Sequence, residues 1–140
     1  MKKTGISLLM FLFVLNVVAC NNPQSNNNSS SDDRTVKTKK VEVYYFHGTR
    51  RCVTCIAVGD VSSELVKSKY ENNPNVKFIE INIDEPGNEE LVEKFQVSGS
   101  GLHVYNGEEI EDITAFAFQY ARANPEKLKD KLIELIDKNL

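Results

Sequence analysis

The run Val41–Cys55, VEVYYFHGTRRCVTC, constrains this chain more than any other segment. Val41–Phe46 is a near-continuous series of β-branched and aromatic residues, the pattern of a strand covered on both faces. It passes through a short loop containing Gly48, Arg50 and Arg51 into Cys52-x-x-Cys55. Two thiols at that spacing at the mouth of a helix can open and close a disulfide. A bridge over two intervening residues removes little chain entropy, so the pair is not read as a structural staple.

The third and last cysteine, Cys20, has a separate setting. Met1-Lys2-Lys3 precedes the apolar run Ile6–Val18, interrupted only by Ser7 and Asn16, and Val17-Val18-Ala19-Cys20 follows as a lipobox. Residues 1–19 therefore read as a bacterial lipoprotein signal peptide, with Cys20 lipidated as the first residue of the exported chain. Between Asn21 and Ser31 nine of eleven residues are Asn or Ser, and polarity continues to Lys40 with only Val36 apolar. Such a stretch cannot bury enough surface to offset its ordering entropy, so 20–40 is expected to be a flexible tether. The expected location is the bacterial cell envelope, lipid-anchored and facing the periplasm.

Loss of Lys2 and Lys3 with the signal peptide takes the formal charge from −3 to −5. That acidic balance gives no electrostatic case for nucleic-acid binding. The remaining length suits one domain, 41–140. Helical spacing of Val58, Val61, Leu65 and Val66 predicts a helix over Cys52–Tyr70, ended by Asn72-Asn73-Pro74. Val76–Ile83 reads as a second strand before the turn-rich Asp84–Gly87. Asn88–Phe95 predicts a short helix capped by Asn88, and Leu102–Tyr105 and Glu108–Ile113 predict strands joined by a type I′ Asn106-Gly107 turn. Ile113, Phe116, Ala117, Tyr120 and Ala121 fall at helical spacing. Asn124-Pro125 caps a last helix striped by Leu128, Leu132, Leu135 and Ile136.

The order β-α-β-α-β-β-α(-α), with Cys-x-x-Cys opening the first helix, resembles the thioredoxin fold over Val41–Leu140. Tyr45-Phe46-His47-Gly48 ahead of Cys52, and Phe95–Gly99 followed by a strand and Asn106-Gly107, agree with it. The resemblance implies an α/β three-layer sandwich with a central four-stranded mixed sheet. More narrowly, YYFHGTRRCVTC in an exported domain, with Asn-Pro before the last helix, is similar to small thioredoxin-like lipoproteins described as subunits of nitrophenyl-compound (organoarsenical) reductases. Two departures stand out. Thioredoxins carry a cis-proline before the third strand, where this chain has Gly99-Ser100-Gly101-Leu102 and no proline, and the family's buried acid in the first strand is missing, its place falling near Tyr44 or Tyr45.

The resemblance implies that Cys52 attacks a partner's disulfide and that Cys55 resolves the mixed disulfide. The helix N-terminus and Arg50 and Arg51 favour thiolate at Cys52. No cofactor is expected; the expected partners are protein thiols and disulfides, a membrane electron donor and a reductase. His47, Ser100, Gly101 and His103 are groove candidates. A competing reading is a metal or metalloid module, in which the chain's two histidines, His47 and His103, join the cysteine pair as Cys₂His₂. Phosphate-binding loops, a Ser-His-Asp order and zinc-protease signatures are absent from the sequence.

Overall fold

The computed structural model describes residues 39–140. The expected signal peptide, Cys20 and nearly all of the expected tether lie outside the described residues. The elements are β1 (Val41–His47), α1 (Val53–Lys69), β2 (Val76–Asn82), α2 (Glu89–Lys94), β3 (Gly101–Tyr105), β4 (Ile110–Asp112), α3 (Thr114–Tyr120) and α4 (Pro125–Asn139).

They form one four-stranded sheet in the order β2-β1-β3-β4. β2 runs parallel to β1, while β3 is antiparallel to β1 and β4 antiparallel to β3. Parallel pairing of β1 and β2 requires a crossover, which α1 provides. This is the mixed sheet of a thioredoxin-like α/β fold. The apolar character of β1 follows from its central place, because its alternate side chains serve two separate cores. Val41, Val43 and Tyr45 pack with α1, α3 and α4. Tyr44 and Phe46 face the other way, onto Phe95 and Leu91.

α4 follows its expected signals: Asn124 Oδ1 accepts from the Lys127 N–H at 3.3 Å, Pro125 opens the helix, and the predicted leucine and isoleucine stripe is buried. Two local expectations differ. Asn88 does stand at the N-cap of α2, but its side chain donates to the Asn82 carbonyl at 2.8 Å instead of capping. The β3–β4 connection is a four-residue loop, not a two-residue type I′ turn. Only Gly107 takes a positive φ there (+94°), and Asn106 Oδ1 accepts from the N–H groups of Glu108 and Glu109. An Asn side chain that mimics a backbone turn in this way removes the need for positive φ at Asn106 itself.

Candidate thiol site

Cys52 is the N-cap of α1, with extended backbone (φ −75°, ψ 164°), rather than part of the first turn. Its Sγ accepts from the Cys55 N–H at 3.2 Å, taking the place a Ser or Asp oxygen usually fills at a helix start. Cys55, one turn in, is buried, whereas Cys52 is exposed; both are free thiols. Their sulfurs lie 2.8 Å apart, so closing the bond needs a shift of about 1 Å. The Cys52 thiol is pulled below its ordinary value, first by the hydrogen bond from the Cys55 side chain and then by backbone N–H groups of Cys55 and Thr54.

Beneath the pair, Tyr45 is fully buried and donates its hydroxyl to the Cys55 carbonyl at 2.6 Å. Burial, followed by the charge of an ionised Cys55, pushes the Tyr45 phenol up to about 12. Tyr45 therefore stays a donor through the neutral pH range. Gly59 lets α1 approach this ring, since a Cβ there would lie 2.7 Å from Tyr45 Cε1.

The loop before Cys52 is pinned to the end of β2. The Thr49 N–H donates to Asp84 Oδ2 at 2.7 Å, which holds the Asp84 carboxyl below its usual range. Asn82 Nδ2 reaches Thr49 Oγ1 at 3.3 Å. Arg51 Nη1 donates to Glu80 Oε1 at 2.7 Å, and His47 Nε2 meets the same oxygen at 3.0 Å. Arg50 is exposed, with no ion pair among the described residues.

The Ser100 hydroxyl lies 3.6 Å from Cys55 Sγ. Where the family pattern would place cis-proline, no peptide bond among the described residues is cis. Gly101 lines a cavity with Ser100 and His103. It is buried in β3, and a Cβ would lie 2.8 Å from His103 Cε1 and 3.1 Å from Thr114 Oγ1, so the glycine makes room for the imidazole.

The Cys₂His₂ arrangement does not form. His47 follows Tyr45 on the α1 side of the sheet, whereas His103 pairs with Tyr44 in register and sits edge-on to Phe46 and Phe95 on the α2 side. The sheet separates the two histidines. Among the described residues no three of His, Cys, Asp and Glu converge into a metal-holding group.

Glu80 was missed by sequence reasoning. Its signal is faint: Val76 and Phe78 share its phase in β2, so a carboxylate there breaks an apolar face. Only the register Tyr45↔Glu80 shows that it lies beside the thiol site.

Solved structures similar to this chain include two of low sequence identity. One is thioredoxin O2 from Arabidopsis thaliana in the oxidized state, at 24% identity over 69% of this chain and 74% of that one, with a TM-score of 0.49. The other is a malarial protein, at 20% identity over 72% of this chain and 98% of that one, also with a TM-score of 0.49. No family model and no curated protein matches the chain.

Proposed function

We propose that this protein carries out thiol–disulfide exchange through Cys52 and Cys55. The observation that carries the reading is the asymmetry of a close pair: an exposed thiol favoured as thiolate at a helix N-cap, and a buried thiol 2.8 Å behind it. Cys52 thiolate attacks one sulfur of a partner disulfide, forming a mixed disulfide and releasing the partner's other sulfur as thiolate. Cys55, once deprotonated, attacks Cys52 Sγ and expels the second partner sulfur. Two electrons pass to the partner, whose sulfurs take up the two protons lost by Cys52 and Cys55. The Ser100 hydroxyl is placed to steady negative charge on Cys55 as it develops.

Cys52→Ser abolishes reduction of a disulfide substrate, and Cys55→Ser accumulates the mixed disulfide, both read by mass spectrometry under alkylating quench. Retained partner reduction in both variants overturns the proposal.

The finer reading is a lipoprotein, anchored through Cys20 to the bacterial envelope and facing the periplasm, that passes electrons from a membrane donor to a client reductase. The lipobox and the Asn/Ser-rich segment support the anchor, and YYFHGTRRCVTC supports a place beside a nitrophenyl-compound reductase. Metabolic labelling with a fatty acid, lost in Cys20→Ala, tests the anchor. Arg50 and Arg51 enter as a positive field around Cys52, with Arg51 partly neutralised by Glu80.

A further inference from the structure

We infer that Tyr45 is a positioning residue of the thiol site: its hydroxyl fixes Cys55 against the central strand and so sets the speed at which Cys55 closes on Cys52. The two cysteines are held very differently. Cys55 is held at three atoms. Its carbonyl accepts from the Tyr45 hydroxyl at 2.6 Å, its N–H donates to Cys52 Sγ at 3.2 Å, and its Sγ lies 3.6 Å from the Ser100 hydroxyl. Cys52 is exposed, and its sulfur leans on Cys55 through that 3.2 Å bond and the 2.8 Å sulfur contact.

Of the three holds on Cys55, the first comes from the middle of the sheet. Tyr45 lies on β1, paired with Glu80 of β2 on one side and Leu102 of β3 on the other, and it is fully buried. Its ring packs beneath α1 at Gly59, where a Cβ would come within 2.7 Å. The hydroxyl therefore ties the residue that carries the resolving thiol to a strand fixed on both edges. A helical carbonyl has a second lone pair beyond the one used along the helix, and the phenol fills it. Burial, then the charge of an ionised Cys55, holds the phenol protonated against the pull of Arg51, so the donor persists as Cys55 gives up its proton. The two sulfurs stand 2.8 Å apart. Misplacement by about 1 Å slows a positioned reaction by up to about a hundredfold.

The inference rests on the proposed exchange and concerns its second step. The reduced full chain is mixed with glutathione disulfide and quenched in acid at intervals, and the peptide bearing Cys52 and Cys55 is followed by mass, apart from Cys20. Cys52 thiolate attacks glutathione disulfide, forming the mixed disulfide and releasing one glutathione thiolate. Cys55, giving its proton to solvent, then attacks Cys52 Sγ and releases the second, so two electrons pass from the pair to glutathione disulfide. Tyr45→Phe keeps the ring and deletes the donor. The closing step slows by about tenfold in this variant. The opening attack changes by less than about twofold, because any loss of thiolate at Cys52 is partly offset by greater nucleophilicity. Tyr70→Phe is the control: it deletes another tyrosine hydroxyl, bonded to Asp137 at 2.6 Å at the far end of α1, and leaves both steps unchanged.

Equal slowing of both steps in Tyr45→Phe marks a loosened helix start and overturns the inference, as does closure slowed to the same extent in Tyr70→Phe. If Tyr45→Phe fails to fold, the Tyr45 hydroxyl proton of the wild type decides it by NMR. Slow exchange with solvent and a cross-peak to Cys55 support the hold, and rapid exchange overturns it. A wild-type mixed disulfide that never closes sinks the exchange reading and the inference together, whereas closure at one rate with and without the hydroxyl sinks the inference alone.

Discussion

Single residues at this site are governed by close contacts, and Gly59 is the sharpest case. Helix propensity favours alanine over glycine by about 1 kcal/mol. A Cβ at 2.7 Å from the ring of fully buried Tyr45 cannot be absorbed without moving α1 or the ring. Gly59→Ala is expected to destabilise the protein by about 1–2 kcal/mol in denaturant unfolding; a stabilised variant would show that the ring yields freely. His103 supplies a pH dependence. Burial, opposed by the Asp112 charge, lowers its pKa below the ordinary 6.5, and its Nδ1 has no hydrogen-bond partner. The folded state therefore binds this proton more weakly than the unfolded state. Stability from His103 is fully present above about 6.5 and is lost as pH falls through the lowered folded value. Unfolding midpoints of wild type and His103→Phe should diverge between pH 7.5 and 5.0, with the variant less sensitive to acid. Parallel midpoints would remove His103 from the acid response.

At the scale of elements, α1 and α4 show how local signals and packing combine. α4 has its cap, its opening proline and a continuous apolar stripe, all readable in advance. Asn124→Ala should lower stability by about 1 kcal/mol, seen as a shifted denaturant midpoint with unchanged slope. α1 has a weaker signal, because its buried face includes Gly59 and Ser62 besides Val58, Leu65 and Val66. Its C-cap, Tyr70, is tied to α4 by a 2.6 Å hydrogen bond to Asp137. Periodicity located α1 but not its contact with Tyr45, since a small residue on the buried face resembles a gap in the stripe. The β3–β4 loop teaches the reverse: Asn-Gly correctly marked a hairpin, while the side-chain bonds of Asn106 selected a longer turn.

For the whole molecule, the sheet acts as a partition, and this decides the metal question experimentally. The reduced protein should show no zinc binding that depends on both histidines. Zinc held by the thiol pair alone would be unchanged in His103→Ala, as measured by competition with a chromogenic chelator. A large affinity loss in that variant would mean that the chain can bring both faces to one ion. By itself the sequence determined the order of elements, the thiol pair at the mouth of α1, the two-sided burial of β1 and the capped α4. These rest on spacing, caps and β-former runs, which act within a few residues. Tertiary structure alone decided that Glu80 stands beside Tyr45, that Arg51 and His47 share its carboxylate, that Ser100 touches Cys55, and that the histidines part company. Strand register and face are non-local properties, and a shift of one residue exchanges every inward side chain for an outward one.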